Sequence, residues 1–378
     1  MLRFLTAGES HGPALLGIIE GLPAGLPLAP EDLAADLARR QAGYGRGARQ
    51  QIEADRAEIV AGVLGGVTTG APVALRIANR ARPELGDPAR APRTVPQPGH
   101  AELAGALKYG LTNVECVAER ASARETAMRV AIGAVAKKLL AAAGIEVVGY
   151  VVAIGEVSAE NVDLPLEERG ARAEDSPVRC PDPVASCAMV AAIDAAREAG
   201  DTLGGIIEVV ALGLPPGLGS FVHPDRRLDG RLGAALLSIP AIKGVEIGPA
   251  FANARLRGTQ VHDPIRLAEG RIVRPTNRAG GLEGGMTNGE PLVLRAAMKP
   301  IPTTLRPQAS VDLAAGVEAE TVYRRSDICA VPAASVVAAA AVAWVLAEAL
   351  VECCGGDRLE QVVERAAAMR REMLRGGQ

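Results

Sequence analysis

Histidine is the side chain best suited to moving protons near neutral pH, and this chain contains few of them. One lies in GESHG (8–12), where the flanking glycines allow a ligand to approach closely. Another ends PGH (98–100), just before a predicted helix over 101–108 whose N-terminus favours a nearby anion. The other two lie in His-Pro-Asp and His-Asp sequences, which are typical of turns. In chain order they are His11, His100, His223 and His262, and the first two are the catalytic candidates.

Arginine and glycine are concentrated in RRQAGYGRGAR (39–49), which has four arginines in eleven residues. Arginine binds phosphate and carboxylate through a planar set of donors, and glycines free backbone N–H groups to do the same. The segment lacks the Gly-Lys-Ser/Thr ending of a P-loop and does not fit G-x-G-x-x-G. It therefore predicts either an anion-binding loop or a solvated basic loop.

A long helix is predicted from Ser122 to Ala143, and its beginning combines a structural signal with a binding signal. Ser122 with Glu125 three residues later predicts a capping box. Arg124 is less expected here, because the helix dipole disfavours a cation at this end unless an anion is bound. Arg124 therefore favours a ligand beside this helix.

Two further segments place polar residues in unusual surroundings. GGLEGGMTNG (280–289) requires tight turns or a flat ligand against the main chain, although Asn288-Gly289 alone also suits a hairpin turn. Arg325 and Asp327 precede a strongly apolar segment, where charged groups are costly unless they are paired or used. A surface ion pair is the alternative for these two residues.

Apolar periodicity predicts the elements that would position these residues. The predicted strands are Leu16–Glu20, Glu58–Ala61, Pro72–Ile77, Val147–Ile154 and Ile206–Ala211. The predicted helices are Glu31–Arg40, Ser122–Ala143, Arg227–Leu237, Ala333–Val351 and Asp357–Leu374. An ordered or lid-like loop is predicted over 79–99 and an exposed acidic excursion over 156–182. The chain is thus predicted to be mixed α/β, and 1–378 is treated as one domain with a peripheral C-terminal helix over about 357–374.

Composition argues against several classes of function. The chain has 378 residues, of which 48% are hydrophobic, and a formal net charge of −3, so a large core is available and no overall field favours nucleic acid or an anionic membrane. Aromatic residues make up 2%, which is few for stacking on single-stranded nucleic acid. Only five of the 41 basic residues are lysine, a bias that suits anionic ligands and also follows from a GC-rich genome.

Three features point to a reduced, soluble environment. The six cysteines show no CxxC pair and no repeated spacing, which indicates free thiols and no metal site. The N-terminal sequence has no apolar core of about 7–15 residues, which a secretion signal needs. Ala333–Val351 is nearly all apolar, yet its alanine content and Glu348 favour a buried helix over a membrane span. We therefore expect a cytoplasmic, metal-free enzyme.

Eight segments, taken in order, resemble the chorismate synthases over nearly the whole chain. They are GESHG (8–12), RRQAGYGRG (39–47), PGH (98–100), ERASARETAMRVAIGA (119–134), KGVEIG (243–248), GGLEGGMTNGEP (280–291), KPIPTT (299–304) and RSDICAVPAA (325–334). Eight motifs in register are far more specific than any one of them. The resemblance implies a single large α/β (α+β) sandwich, with helices packed between antiparallel sheets, assembled as a homotetramer that acts on a small anionic substrate.

The resemblance also implies the reaction. A lyase of this family converts 5-enolpyruvylshikimate 3-phosphate to chorismate and phosphate by 1,4-elimination, the last common step of the shikimate pathway. Reduced FMN (FMNH2) is required although no net oxidation occurs. An electron-rich flavin can donate charge transiently, while arginines neutralise the departing phosphate.

Roles for individual residues follow from the matching positions. His11 is implied to protonate or steady the leaving phosphate, and His100 to stabilise the reduced, anionic flavin. Asp327 is implied to work with flavin N5 in removing the hydrogen, supported by Ser10 and Ser122. The implied flavin contacts are Arg120, Ala121, Ser122, Pro240, Ala241, Gly284, Lys299, Pro300, Ile301, Pro302, Thr303 and Arg325. The arginines implied for the anionic substrate, or for NADPH in members with that second activity, are Arg40 and Arg46, with Arg49 and Arg124 as further phosphate candidates.

Four positions depart from the family pattern. Members commonly have arginine and aspartate where this chain has Gln97 and Glu102, and aspartate and arginine where it has Asn113 and Glu115. A charge reversal near an anion site would weaken substrate binding, although we interpret the departures as divergence with activity retained. Two alternatives to the lyase stay open. One is an NADPH-dependent flavin reductase, in which the arginine loop holds the nicotinamide phosphate. The other is a flavin- or phosphate-binding protein whose catalysis is weakened or lost through Gln97 and Glu115.

Overall fold

A four-stranded antiparallel sheet is built from the first strands of the chain. The computed structural model describes residues 1–47, 53–80, 92–159, 162–323 and 326–374, with side chains through 371. In spatial order the strands are Arg3–Ala7, Ala14–Glu20, Val73–Ala78 and Ala57–Ala61. Along the second strand Leu15 and Ile19 are buried while Leu16 and Ile18 are exposed. The sheet therefore has one face on the core and one face open.

A five-stranded sheet forms the opposite side of the core. Its strands, in spatial order, are Ile242–Ile247, Leu292–Met298, Gly205–Leu212, Glu146–Ile154 and Val157–Ser158. All pairs of these strands, like those of the first sheet, are antiparallel.

Three helices fill the space between the sheets: Pro30–Gln41, Thr126–Ala142 and Val331–Cys354. Thr126–Ala142 packs on the four-stranded sheet, and Val331–Cys354 packs on Thr126–Ala142 and on the five-stranded sheet. The two longest helices approach so closely that a Cβ on Gly133 would lie 2.4 Å from the Cβ of Ala340. Helices between two antiparallel sheets confirm the predicted fold class.

The remaining elements surround this sandwich. The helices are Glu102–Tyr109, Glu115–Ala121, Leu166–Glu174, Pro183–Glu198, Leu228–Leu237, Ala250–Asn253, Gly258–Val261 and Leu359–Leu374, with 3-10 turns at Ala123–Glu125 and Pro224–Arg226. The small hairpins pair Val63–Leu64 with Val67–Thr68, Arg266–Ala268 with Arg271–Val273, Leu282–Glu283 with Met286–Thr287, and Ala309–Asp312 with Val317–Glu320.

The predicted core helix lies where the sequence placed it. Among the described residues one helix, Val331–Cys354, is long and apolar enough to cross a membrane, with a mean hydropathy of 2.1. It is 83% buried inside the protein over its most apolar stretch. Such burial on helices and sheets of the same chain is the behaviour of a core helix.

Two local predictions are wrong. The capping box does not form: the Ser122 hydroxyl caps a 3-10 turn by accepting the Arg124 N–H, and Glu125 pairs with Arg129 at 3.0 Å instead of reaching back. The 156–182 interval is not a simple exposed excursion, because its helix Leu166–Glu174 packs small residues on the five-stranded sheet and Val178 is fully buried.

Candidate active site

The loop that carries His11 is held by the end of the helix Glu115–Ala121. The Glu119 carboxylate accepts the His11 backbone N–H at 2.7 Å and lies 2.7 Å from His11 Nδ1. The Ser10 N–H donates to the Glu119 carbonyl at 3.0 Å. Arg120 donates to the Thr6 hydroxyl at 2.8 Å and to the Gly8 carbonyl at 3.3 Å. Strand, loop and helix end are thus joined around His11.

The side chains of Ser10 and Ser122, both implied by the resemblance to support catalysis, contact each other. The Ser122 hydroxyl donates to the Ser10 hydroxyl at 3.1 Å, and Ser10 is 3% exposed. The Asn79 amide donates to the carbonyls of Glu9 and Gly12 at 3.1 and 2.8 Å, and its oxygen accepts from Arg124 Nε at 3.0 Å. Asn79 therefore connects the histidine loop to an arginine cluster.

Arg40 and Arg124 share one buried carboxylate. Arg124 donates to Asp55 at 2.5 Å, and Arg40 donates to the other Asp55 oxygen at 3.3 Å. Arg40 also donates to the Thr126 hydroxyl and to the Ala123 carbonyl, both at 3.0 Å. All three guanidinium nitrogens of Arg40 are therefore bonded within the protein.

Arg46 and Asp327 form a second pair close to the first. Arg46 lies 2.8 Å from one Asp327 oxygen, and the Gly47 N–H donates to the other at 2.6 Å. The arginine loop lies beside the segment that precedes the core helix, because the Ile328 N–H donates to the Gly45 carbonyl at 2.8 Å. Asp327 is thus paired with Arg46 across two loops, while the predicted surface pair with Arg325 falls outside the described residues.

The charges of this cluster balance. Its three guanidinium groups, on Arg40, Arg46 and Arg124, face three carboxylates, on Glu53, Asp55 and Asp327. Burial, with the neighbouring Arg46 charge adding to it, lowers the pKa of Arg40 to about 10. Asp55 and Asp327 oppose that shift and Arg124 adds to it, so the two pairs lie within electrostatic range of each other.

Two buried donors in this cluster have no hydrogen-bond acceptor among the residues that the structure describes. They are Arg46 Nε and Arg124 Nη2, the latter 3.5 Å from Glu53 in an ion pair without a hydrogen bond. Unsatisfied buried N–H groups cost free energy comparable to a lost hydrogen bond. Both are therefore suited to meet an oxygen of an anionic ligand.

His100 lies in a second group of residues. His100 Nδ1 is 3.5 Å from Glu102, without a hydrogen bond. Glu102 also accepts from the Gln97 N–H at 2.6 Å and from Arg93 at 3.1 Å. Burial lowers the pKa of His100; Glu102 opposes the shift, and Arg93 and Lys299 add to it.

The segment Lys299–Thr303 lies beside His100. A Cβ on Gly99 would lie 3.5 Å from Lys299 Nζ and 3.5 Å from Pro302, and the Gln97 amide donates to the Pro302 carbonyl at 2.7 Å. Burial and the charge of Lys243 both lower the pKa of Lys299. The Lys299 N–H donates to the carbonyl of Ala241, whose φ of 71° is unusual for a residue with a side chain.

An apolar groove opens next to this group. Its volume is about 480 Å³, and His100 and Gln97 lie on its wall. The other lining residues are Pro96, Pro98, Gly99, Leu103, Ala104, Leu107, Ala309, Ser310 and Val311.

Backbone contacts connect the two histidine groups. On one side, the helix Glu102–Tyr109 packs on Glu115–Ala121, whose Glu119 holds His11. On the other, the Thr202 hydroxyl donates to the Ile301 carbonyl at 2.7 Å, and the next residue, Leu203, donates its N–H to Ile328 at 3.0 Å. A series of contacts therefore links the segments that carry His11, His100 and Asp327, and we call these linked segments the connected region.

Some predicted site residues lie elsewhere or outside the described part of the chain. Gly284 occupies the turn between Leu282–Glu283 and Met286–Thr287, and hydrogen bonds join this hairpin to residues 217–228. Arg49 and Arg325 fall outside the described residues, as does most of the 79–99 loop's middle. His223 is exposed and pairs with Asp225 at 2.6 Å, in the turn that its sequence predicts.

Sequence reasoning missed the carboxylates and the amide that organise the site. Glu119, Asp55, Glu53 and Asn79 were not singled out, because each bonds a partner far away in the chain, up to 108 residues for Glu119. Glu53 and Asp55 offered one signal, since they follow the arginine loop closely and supply opposite charge.

The departures from the family pattern have structural partners. Gln97 and Glu102 bond each other and join the His100 loop to Pro302. The Asn113 side chain accepts the N–H groups of Arg93 and Glu115 at 3.2 and 3.1 Å. Glu115 lies in the first turn of its helix, where a negative charge is favourable.

Comparisons with known proteins agree with one another. A family model described as chorismate synthase matches residues 2–351. A chorismate synthase of Moorella thermoacetica is 60% identical over 380 residues, covering 98% of each chain, and one of Thermus thermophilus is 56% identical over 380 residues with the same coverage. A solved structure titled "Crystal Structure of Chorismate Synthase" superposes with a TM-score of 0.82 at 44% identity, covering 98% of both chains.

Proposed function

The chain belongs to the chorismate synthase family, and on that premise we propose that the connected region of His11, His100 and Asp327 is its active site. The enzyme is a lyase that converts 5-enolpyruvylshikimate 3-phosphate to chorismate and phosphate with the help of reduced FMN. The observation that carries the site is the pair of buried, unsatisfied guanidinium donors on Arg46 and Arg124 beside the loop that holds His11. An arginine pair of this kind suits a phosphorylated substrate.

The residues around His100 fit a flavin. Burial, with the charge of Lys243 adding to it, lowers the pKa of Lys299, so an anion such as the flavin phosphate would relieve an unfavourable arrangement. His100 Nδ1 is a buried polar atom without a hydrogen bond. When bound, reduced FMN supplies electron density to the ring that loses phosphate. Holding it is the role we propose for Lys299–Thr303, Pro240, Ala241 and Arg120–Ser122, with Gly284 and Arg325 as further contacts.

The buried charges fit the substrate phosphate. Arg46 and Arg124 each offer an unsatisfied N–H, whereas Arg40 has all its nitrogens bonded and contributes by orienting Asp55 and Thr126. We assign Arg46 and Arg124 to the anion, and Arg40 to the support of that site, with Arg49 as a further candidate.

Two proton-handling groups complete the assignment. His11 gives a proton to the oxygen of the phosphate as the carbon–oxygen bond breaks. Asp327, which is held by Arg46 and the Gly47 N–H, is proposed to work with the flavin in removing the C6 hydrogen. Ser10 and Ser122 keep the His11 loop and the helix end together.

The test separates chemistry from flavin binding. Anaerobic protein with dithionite-reduced FMN and the enolpyruvyl substrate should release phosphate and chorismate. We expect His11→Ala and His100→Ala to lose turnover on the order of a hundredfold or more, with the fold preserved by circular dichroism. His223→Ala and His262→Ala, which replace histidines of exposed turns, serve as matched controls and should stay active.

The alternatives give different results in the same assay. Tight FMN binding with no phosphate release, beside a known active enzyme, would identify a protein that has lost catalysis. Rapid bleaching of bound FMN by NADPH without dithionite would show a reductase activity, and we propose NADPH as a possible second ligand of the arginine loop only on that outcome.

Assembly, compartment and domain organisation are also proposals. The open face of the four-stranded sheet exposes Leu5, Leu16, Ile18 and Val60 between the Arg3–Glu20 and Arg76–Glu58 ion pairs. An apolar face with opposite charges at its rim suits a second copy of the chain, as a homotetramer requires.

All six cysteines are free thiols, which suits the cytoplasm. One buried apolar cluster extends from Leu2 to Ala366, which supports a single domain.

A further inference from the structure

Glu119 is bonded to His11 twice, and its carboxylate is largely buried. One oxygen accepts the His11 backbone N–H and the other lies 2.7 Å from Nδ1, while the side chain of Glu119 is 11% exposed. We propose that Glu119 is a positioning residue that fixes the His11 imidazole in the tautomer with hydrogen on Nδ1. Nε2 is then the nitrogen that takes up the proton which His11, as imidazolium, passes to the leaving group. This inference rests on the proposed role of His11 as the acid.

The chemistry of the carboxylate decides the tautomer. An ionised carboxylate only accepts hydrogen bonds, so the ring nitrogen that faces Glu119 must carry the hydrogen. In the neutral ring Nε2 is then the acceptor, and after proton uptake Nε2 is a donor. A carboxylate behind a catalytic imidazole orients the ring in the same way in hydrolytic triads.

The helix end makes this arrangement rigid. Besides its carboxylate, Glu119 offers its carbonyl to the Ser10 N–H at 3.0 Å, and the next residue, Arg120, bonds Thr6 and Gly8. The backbone bond to His11 and the side-chain bond to Nδ1 come from one carboxylate, so the ring and its own main chain are oriented by the same group.

The other histidine–carboxylate pairs differ from this one. His100 Nδ1 lies 3.5 Å from Glu102 and makes no hydrogen bond. His223 contacts Asp225 at 2.6 Å, but both side chains are more than two-thirds exposed. Only at His11, among the histidines of the described chain, does a largely buried carboxylate hold both the ring and the backbone.

The experiment reads the tautomer and the turnover independently. In protein labelled with ¹⁵N-histidine, four pairs of ring signals are expected, one Nδ1 and one Nε2 signal for each histidine, and His11→Asn identifies the pair of His11. Glu119→Gln keeps the size of the side chain but replaces one of the two carboxylate oxygens with an NH2 group. The variant therefore cannot accept both hydrogen bonds from His11. Glu352→Gln, which disturbs an ion pair with Arg231 at 2.7 Å, is the matched control. Glu119→Asp tests whether a carboxylate restores the effect.

We expect the free parent protein to show His11 protonated at Nδ1, and Glu119→Gln to populate the other tautomer. The kcat of Glu119→Gln should fall on the order of tenfold to a hundredfold, with KM changed less than about threefold, and Glu119→Asp should recover part of it. Glu352→Gln should match the parent in both readouts.

Three results would overturn the inference: a parent tautomer with hydrogen on Nε2, an unchanged tautomer in Glu119→Gln, or an unchanged kcat in that variant. The proposed role of His11 is judged separately by His11→Ala. If His11→Ala retains turnover, that role fails, whatever the ring signals show. If it is inactive while Glu119→Gln equals the parent, only the positioning role of Glu119 is wrong.

Discussion

At the scale of single residues, the two candidate histidines have different surroundings. His11 is bonded to Glu119 through its backbone and its ring. His100 is partly buried between one carboxylate and two cations, on Glu102, Arg93 and Lys299. A group that transfers a proton must be held in position, whereas a group beside a reduced flavin needs a favourable field. The surroundings of the two histidines match the separate roles we propose.

Burial lowers the pKa of His100 below its ordinary value of 6.5. We therefore expect the stability of the protein to depend on pH through this residue. Above about pH 6.5 the ring is neutral in both the folded and the unfolded protein. As the pH falls below that value, the unfolded chain takes up the proton first, so the free energy of unfolding decreases. Urea unfolding should therefore show the parent losing stability relative to His100→Gln between about pH 7 and pH 5. A constant difference between the two proteins over that window would contradict the prediction.

The residue types of the site were predictable, but their partners were not. Few histidines and a dense arginine loop identify candidates from sequence alone. The bonds that decide their function join Arg124 to Asn79, 45 residues away, and His11 to Glu119, 108 residues away. No local spacing encodes such pairs, because they form only when the helix Thr126–Ala142 is packed on its sheet.

At the scale of elements, two helices touch through very small residues. Gly133 on Thr126–Ala142 faces Ala340 on Val331–Cys354, where an added Cβ would come within 2.4 Å of a Cβ and 2.6 Å of a Cα. The helix Thr126–Ala142 follows directly on the 3-10 turn that carries Arg124. Thr126 bonds Arg40 and Arg124 bonds Asp55. The spacing of the two helices is therefore coupled to the position of the arginine cluster.

Gly133→Ala should destabilise the protein by about 1–3 kcal/mol, because backbone atoms of the neighbouring helix must shift. Gly233→Ala, in the helix Leu228–Leu237, meets nothing within 4 Å and should instead stabilise by about 0.5–1 kcal/mol. Urea unfolding followed by the fluorescence of Trp344, the single tryptophan, measures both. Equal effects of the same sign would refute this account of the helix contact.

The elements themselves were largely predictable. Strands such as Glu146–Ile154 and helices such as Val331–Cys354 follow from apolar runs with clear ends. The start of the helix after Ser122 was not, because Arg124 bonds Asp55 across the fold and Glu125 pairs with Arg129 four residues later instead of reaching back to Ser122. The helix Leu166–Glu174 was missed because its buried contacts use Gly170 and Ala173, which carry little apolar signal.

At the scale of the whole molecule, the open face of the four-stranded sheet sets the expectation for assembly. Leu5 and Ile18 lie opposite each other in the register and are 69% and 49% exposed. Their neighbours on this face, Leu16 and Val60, extend the apolar strip across further strands. Contact with a second copy would cover it.

The double variant Leu5→Lys with Ile18→Lys should reduce the mass of the particle in light scattering while circular dichroism stays unchanged, since charges on both strands oppose the contact. Val184→Lys, at an exposed helix start remote from this sheet, is the control and should keep the parent mass. An unchanged mass for the double variant would place the self-association surface elsewhere.

The core helix Val331–Cys354 also bears on how the protein is made. Apart from Leu359–Leu374, the elements that pack on it precede it in the chain: Pro30–Gln41, Thr126–Ala142, Glu146–Ile154, Gly205–Leu212 and Leu228–Leu237. During synthesis the segment that most resembles a membrane span thus emerges after most of its cover has been translated. It can dock as it leaves the ribosome, so its sorting between core and bilayer is decided by the order of translation as well as by its composition.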